Sequence, residues 1–378
     1  MKIVYLAGVT IPDDWAHVLQ IMNMCEAFAL NGHDVTLIGP KRPNVGIQAD
    51  PFEYYGIKKI FTIKKLPCID FRPGSESRFL FLLRLFSFLI VTKLYLFFHT
   101  SDIVYTREQF AGLFFKNLSY EVHMLPKQIK PINRIALRRA KALIVVTGFI
   151  KKRLAEKGIE ANKIIVAHDA VNREHFISDL RKNDARRELG LPLDKKIVGY
   201  VGTLKTMNME KGVSIALHSL AELNDSHVLC IVGGESHDIE FYMREAEALG
   251  VAHKTLFIGK VKHALVPIYL KAFDALIAPF PVNEHYSYYM SPLKIFEYMA
   301  SDRPIIVSDL PSIREVLDDS MAYLVEPGNV ASLTDAIIQA TIHYTVAEAK
   351  ARKSLEESKK YTWTGRAERI VAFISDKK

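Results

Sequence analysis

Glu297 stands one turn into a segment, Ser291-Pro292-Leu293-Lys294-Ile295-Phe296-Glu297-Tyr298-Met299-Ala300, with the makings of a helix. Ser291 suits an N-cap and Pro292 the first helical position. Leu293, Phe296 and Ala300 share one face at helical spacing. The first N–H groups of such a helix have no partner inside it, so its start attracts anions. Glu297 lies roughly 6 Å further along the axis. A carboxylate there repels phosphate but accepts hydrogen bonds from a sugar diol. Phosphate at the helix start and diol one turn in is the layout a nucleotide-sugar requires. The plainer alternative is an amphipathic helix with a solvated Glu297. Ile305–Val307, just downstream, reads as a short buried strand.

Other candidates sit where strand-like runs end in glycine. Gly202-Thr203-Leu204-Lys205 through Lys211-Gly212 follows one such run and precedes an amphipathic helix. A small-residue turn with a lysine beside a helix start suits a pyrophosphate. Gly233-Gly234 closes another run and could border a base or sugar, and Gly8 permits close backbone approach in the first loop. No Asp-x-Asp occurs; Asp13-Asp14 and Asp318-Asp319 are adjacent pairs without metal-site context. Lysines and a helix dipole can stabilise a leaving group without a metal. Neither a P-loop nor a G-x-G-x-x-G fingerprint is present, which weakens kinase and dehydrogenase readings.

The elements that must hold these residues alternate in type. Lys2–Gly8 and Lys196–Gly202 are hydrophobic strands ending at glycine, each followed by a helix-like segment. Further strand patterns follow at Asp34–Gly39, Ile103–Thr106, Leu143–Thr147 and Ile164–Ala167. The second half repeats the theme at Val228–Gly233, Thr255–Gly259, Ala275–Ala278, Ile305–Ser308 and Ala322–Val325. Such alternation implies parallel sheets covered by helices. The expected fold class is α/β, with two doubly wound Rossmann-like domains facing across a cleft. The expected domains are 1–175, with 363–378 packing back onto it, and 176–362. Open parallel sheets bind ligands at the carboxyl ends of their strands.

Several stretches together resemble the family 4 retaining glycosyltransferases, which have the GT-B fold. The most specific is Ser291–Ala300 followed by Pro304-Ile305, Ser308-Asp309 and Pro311-Ser312-Ile313-Arg314-Glu315. Ala16-His17-Val18, Gly32-His33, Asp102–Arg107, Glu121-Val122-His123, His168–Val171, Gly199–Gly202 and Lys211-Gly212 agree in order. The resemblance implies a nucleoside diphosphate-sugar donor, UDP- or GDP-linked, in the second domain and a glycan or lipid-linked acceptor in the first. It implies no cofactor and no metal. Lys211 matches the lysine that stabilises the leaving diphosphate, and Glu297 the glutamate that binds ribose hydroxyls. His123 matches a histidine that hydrogen-bonds the donor sugar. Ala16 and His17 fall where relatives contact acceptor or donor, and Gly259-Lys260-Val261 where the backbone reads the base. Two positions depart from the pattern. Thr203 stands where many relatives carry arginine, with Lys205 as the candidate replacement charge, and Tyr289 stands where the first of two paired glutamates is usual. The acceptor is expected to attack on the face the diphosphate leaves, with the leaving phosphate helping to take its proton. Rival readings are a GT-B epimerase or phosphorylase-like enzyme, and a non-catalytic partner of another transferase that binds sugar nucleotides.

The 378 residues carry a formal net charge of +8, are 49% hydrophobic and include three cysteines. Cys25, Cys68 and Cys230 lack metal-like spacing, as suits a reducing cytoplasm. Met1–Gly8 reads as a strand, not a signal peptide. Basic residues cluster in Lys127–Arg153 and Arg181–Arg187. No nucleic-acid motif accompanies them, so nucleic acid is not an expected partner. An anionic membrane surface fits better. Arg78–Phe98 is rich in Phe and Leu but interrupted by Arg84 and Lys93, which argues against a spanning helix. It reads as a core helix or as one lying partly in a bilayer interface. The expected location is cytoplasmic, peripheral to the inner face of the plasma membrane. Polysaccharide assembly at the cell surface is the expected process, by family habit.

Overall fold

The structure is a computed structural model that describes residues 1–42, 47–70, 78–116, 118–126 and 129–377. The chain divides into two compact units, Met1–Asp169 with Trp363–Lys378, and Ala170–Thr362. The division falls at 169/170 and not at the expected 175/176. Val171 forms a parallel bridge to Thr362 and is buried in the core of the second unit, so it belongs to that unit.

The first unit is a seven-stranded parallel sheet. Its strands are β1 (Lys2–Leu6), β2 (Asp34–Pro40), β3 (Thr62–Leu66), β4 (Ile103–Thr106), β5 (Ser119–Val122), β6 (Ala142–Val145) and β7 (Ile164–Val166). They lie in the order β3-β2-β1-β4-β5-β6-β7. β1 is central, pairing from Lys2↔Asp34 to Leu6↔Ile38 on one side and from Ile3↔Ile103 to Leu6↔Thr106 on the other. A strand covered on both faces needs a continuous apolar run, and Ile3–Leu6 is buried throughout. The chain's last helix, Trp363–Ser375, packs on the first, Ala16–Leu30. Its buried Trp363, Ala367, Ile370 and Ile374 recur at helical spacing.

Arg78–Phe98 is one helix of 21 residues. Leu85, Phe88 and Leu89 are buried, while Phe79, Leu94, Phe97 and Phe98 are exposed. The stretch Phe79–Phe98 is long and apolar enough to cross a membrane, by length and composition only.

The second unit holds β8 (Lys196–Val201), β9 (Lys205–Thr206), β10 (Met209–Glu210), β11 (His227–Val232), β12 (Thr255–Gly259), β13 (Ala275–Ala278), β14 (Ile305–Ser308) and β15 (Tyr323–Val325). Six form a parallel sheet in the order β12-β11-β8-β13-β14-β15, and β9 and β10 form a separate antiparallel hairpin. Alternate residues of each strand serve opposite cores. Ile197, Cys230, Leu276 and Ile305 face one, while Val198, Leu229, Ile277 and Ile306 face the other. Helices therefore cover both faces, as the alternating pattern implied. β3 and the β9–β10 hairpin were not foreseen, being short and weakly apolar.

Candidate functional site

Glycines gather at the carboxyl ends of three neighbouring strands. Gly202 follows β8, Gly233 follows β11, and Gly259 ends β12. The N–H of Gly202 donates to Val232 O (2.9 Å) and that of Gly233 to Gly259 O (2.7 Å). At Gly233 a Cβ would stand 2.4 Å from the carbonyl oxygen of Gly202, so a side chain there would part the strand ends. Gly202 has φ +125°, a conformation that side chains resist. The backbone is thus bare where a ligand of an open parallel sheet would lie. Gly234, Lys260 and Val261 follow directly. The Lys260 ammonium pairs with Glu235 (2.7 Å).

The hairpin β9–β10 carries Lys211 to this surface. Met207 and Asn208 turn it with φ of 49° and 60°, as a tight two-residue connection demands. Lys211 N–H closes it on Leu204 O (3.0 Å). The Lys211 ammonium then donates to the Thr203 hydroxyl at 2.6 Å. Burial lowers its pKa to about 8. Thr203, found where arginine is usual among relatives, is the residue that locates this lysine. Lys205, the candidate replacement charge, has a partner of its own. Its ammonium is 2.8 Å from the buried Asp238 carboxylate and 5.1 Å over the Phe241 ring, so an anion already neutralises it.

The helix Leu293–Ala300 starts one residue later than expected. Pro292 is its N-cap, with ψ at 126°, and no side chain caps it; Ser291 does not fill that place. The extended backbone at Met290 and Pro292, after a π-helical turn at His285–Tyr289, sets this start. The helix is fastened to the sheet by Tyr298, whose hydroxyl accepts from Val201 N–H (2.9 Å). Its first turn carries Lys294, which is 8% exposed. The Lys294 Nζ lies 3.7 Å over the Tyr200 ring and 3.2 Å from where a Cβ on Gly202 would stand. Burial, and then the charge of Lys211, push its pKa far down, with Glu297 pulling against them. Glu297 Oε1 is 3.0 Å from His263 Nε2. Burial pulls the His263 pKa down, but the hydrogen bond and charge of Glu297 outweigh it and raise it above the usual value. Tyr289 is buried, and its hydroxyl reaches toward Glu284 Oε1 at 3.4 Å.

In the first unit, a second polar cluster forms at the ends of β1, β4 and β5. Gly8 N–H donates to Glu108 Oε1 (2.8 Å), and a Cβ on Gly8 would stand 2.9 Å from that carboxyl. Burial raises the Glu108 pKa. His123 Nε2 lies 2.6 Å from Glu121 Oε1. Glu121 is fully buried and also accepts from Gln20 (2.6 Å) and Arg366 (3.0 Å). Burial alone would raise its carboxyl, but Arg366, His123 and Arg107 hold it well below the usual range. Ala16 and His17 open the helix that carries Gln20. Burial, with Arg107 and His123 nearby, holds His17 at a pKa of about 4, so it is neutral at physiological pH. Arg107 donates to Gln20 Oε1 at 2.6 Å.

The structure therefore gathers Gly202, Thr203, Lys211, Lys294 and Glu297 in one unit and His17 and His123 in the other. His263, Glu108 and Arg107 were not singled out from sequence. A lone histidine after Lys260-Val261 gives no signal until the fold pairs it with Glu297. Among the described residues no group of three His, Cys, Asp or Glu side chains could hold a metal ion.

Residues 195–342 match the family Glycosyl transferases group 1. The D-inositol 3-phosphate glycosyltransferase of Corynebacterium diphtheriae is 25% identical over 227 residues, 57% of this chain and 51% of that protein. The O-antigen chain mannosyltransferase of Salmonella typhimurium is 27% identical over 207 residues, 54% of this chain and 52% of that protein. The chain thus spans about half the length of these curated relatives. Among solved structures, sucrose-phosphate synthase from Thermosynechococcus elongatus superposes with a TM-score of 0.79 at 18% identity, covering 99% of this chain and 98% of that one. Anabaena HepE in complex with UDP and glucose gives 0.75 at 17% identity, with both chains fully covered. These likenesses, at low identity, speak for the fold. The second unit thus matches the Glycosyl transferases group 1 family, and the two Rossmann-like parallel-sheet units have the GT-B fold of these structural neighbours.

Proposed function

We propose that this protein is a retaining glycosyltransferase that moves a sugar from a nucleoside diphosphate-sugar, UDP- or GDP-linked, to a glycan or lipid-linked acceptor. The observation that carries the reading is the pairing of Lys211 with Thr203 beside the bare Gly202 turn, and Glu297 one turn along the Leu293–Ala300 helix. A cation at a glycine turn suits the diphosphate, and the carboxylate suits the ribose diol. Lys211 opposes the charge that grows on the diphosphate as the glycosidic bond breaks. Glu297 holds the ribose, and the strand-end backbone at Gly233, Gly234, Lys260 and Val261 borders the base. His123, oriented by Glu121, bonds the donor sugar. The acceptor hydroxyl attacks on the face from which the diphosphate departs, giving its proton to the leaving phosphate. No protein group is assigned as general base, and the reaction runs without a metal. Cell-surface polysaccharide assembly at the inner face of the plasma membrane is the proposed setting, supported by the exposed apolar side of Arg78–Phe98.

The test is a screen of nucleotide-sugars by thermal shift, followed by transfer assays with the stabilising donor. Retention is read from the anomeric configuration of the product by NMR. Donor binding without hydrolysis or transfer to any glycan or lipid-linked acceptor would favour a non-catalytic binder. An inverted product would overturn the retaining assignment.

A further inference from the structure

Lys294 is out of place for a lysine. Lysines are almost never buried unless paired, yet Lys294 is 8% exposed and its Nζ has no hydrogen-bond partner among the described residues. What surrounds it is aromatic. Tyr200 lies 3.7 Å beneath the ammonium and Phe280 5.6 Å away. Ring faces lower the cost of holding a cation out of water but supply no counter-charge. The nearest carboxylate on its own helix, Glu297, is engaged with His263 at 3.0 Å. The other charged group acting on it is the like charge of Lys211.

The position of the ammonium says what is missing. It lies 3.2 Å from where a Cβ on Gly202 would stand, and Lys211 is bonded to the neighbouring Thr203 at 2.6 Å. Two lysines, delivered by the hairpin and by the first turn of Leu293–Ala300, therefore meet at two consecutive residues of one turn. Like charges brought together in a half-dry place are unfavourable unless an anion joins them. That anion must carry more than one negative charge and must approach past a residue without a side chain.

We propose that Lys294 is a direct ligand of the donor's diphosphate, reaching it beside Gly202 while Lys211 reaches it beside Thr203. The proposal rests on the reading of this surface as a diphosphate-sugar site. The ammonium completes a two-cation clamp in which Lys294 is the buried member. Before the donor binds, Lys294 is a cost to the fold. Once it binds, the diphosphate is the partner that its burial lacks.

The experiment compares Lys294→Met, of similar length but neutral, with Lys294→Gln and the parent protein. Calorimetry measures affinity for UDP, GDP and their nucleosides uridine and guanosine. Melting temperature is read without ligand. Lys294→Met and Lys294→Gln should bind the diphosphate at least ~10-fold more weakly, the size of one charge-assisted hydrogen bond. Nucleoside affinity should not change, and the ligand-free melting temperature of Lys294→Met should rise, because a buried amine without a hydrogen-bond partner is gone. Unchanged diphosphate affinity in both variants would overturn the proposal. So would a parallel loss of nucleoside affinity, which would mean that Lys294 acts only through Glu297. A fall in the melting temperature of both folded variants would make the ammonium a structural group and would overturn the proposal as well. If the parent protein binds neither diphosphate, the underlying reading of the site fails first, and the proposal with it.

Discussion

His263 Nε2 lies 3.0 Å from Glu297 Oε1, so the carboxylate expected to hold the ribose is itself held. The pair leaves Oε2 as the oxygen to accept from a diol. His263 also fixes the rotamer of a side chain that would otherwise sample several. Glu297→Gln keeps the shape and removes the charge. A hydrogen bond to a charged group contributes ~1.5–3 kcal/mol, so donor affinity should fall at least ~10-fold in calorimetry. Unchanged nucleotide affinity would remove Glu297 from the site.

The same pair gives a pH dependence with a definite sign. His263 is raised above its usual pKa of 6.5 by Glu297, so the imidazolium persists to higher pH in the folded protein. Its attraction for Glu297 is complete below 6.5 and is lost as pH rises through the raised value. Donor affinity should therefore weaken over that window, and His263→Asn should flatten the profile. A profile identical in His263→Asn and the parent would show that the histidine does not orient Glu297.

Lys211 should act on turnover more than on binding. Negative charge grows on the diphosphate as the bond to the sugar breaks, so its ammonium matters most in the transition state. Lys211→Ala should lower kcat by more than it raises KM for the donor. Burial holds the free amine at a pKa of about 8, so kcat/KM for the parent should fall as pH rises through that value. Lys211→Arg, charged at all accessible pH, should remove that limb. An effect on KM alone would make Lys211 a binding residue.

Much of this was legible in the sequence because it is local. Lys196–Val201 and Ile305–Ser308 are apolar runs bounded by turn signals, and such runs survive as central strands of a sheet covered on both faces. Ser291–Ala300 was legible as a helix, though its first residue was not, since Pro292 takes an extended ψ under tertiary constraint. What sequence spacing could not supply were relationships across the fold. Lys205 reads as a free cation until the helix Ser236–Ala248 brings Asp238 to it. Lys294 reads as a donor-binding residue at the helix start, but its burial shows only when β8 and the segment after β13 place Tyr200 and Phe280 around it. The Arg366–Glu121 pair joins the last helix to β5, and neither residue signals the other.

That last pair should be costly to break. Arg366 and Glu121 are fully buried, and Glu121 orients His123. Removing one partner of a buried ion pair typically costs ~3–5 kcal/mol, because the other charge is left uncompensated. Arg366→Met should lose about that much in urea unfolding, while the double variant Arg366→Met with Glu121→Gln should recover part of it. No loss in the single variant would show that Gln20 and His123 suffice to hold the carboxylate.

Transfer should survive EDTA. If the proposed donor site holds the diphosphate, Lys211 and the start of the Leu293–Ala300 helix would supply its positive charge. Complete loss of turnover on chelation, restored by magnesium or manganese, would refute metal independence.

The first unit should bind anionic membranes in a salt-sensitive way. The helix Arg78–Phe98 exposes Phe79, Leu94, Phe97 and Phe98 while burying Leu85, Phe88 and Leu89. The short helix Ala111–Phe114 packs against both this helix and Pro131–Arg139. The latter exposes Ile132 and Ile135 together with Arg134, Arg138 and Arg139, and Lys130 is exposed just before it. Lys127, part of the same basic cluster in the sequence, lies outside the described residues. Exposed basic groups near an anionic surface contribute ~1 kcal/mol each, an attraction that salt screens. Replacing Lys130, Arg134, Arg138 and Arg139 by Ser should therefore weaken co-sedimentation with phosphatidylserine-containing liposomes at low salt. It should leave the melting temperature nearly unchanged, since all four side chains are exposed. Leu94→Ser with Phe97→Ser should weaken the salt-resistant remainder, which is the part owed to apolar insertion. A parent protein that fails to co-sediment at low salt would leave the exposed face of Arg78–Phe98 without a membrane role. The acceptor would then be sought among soluble glycans.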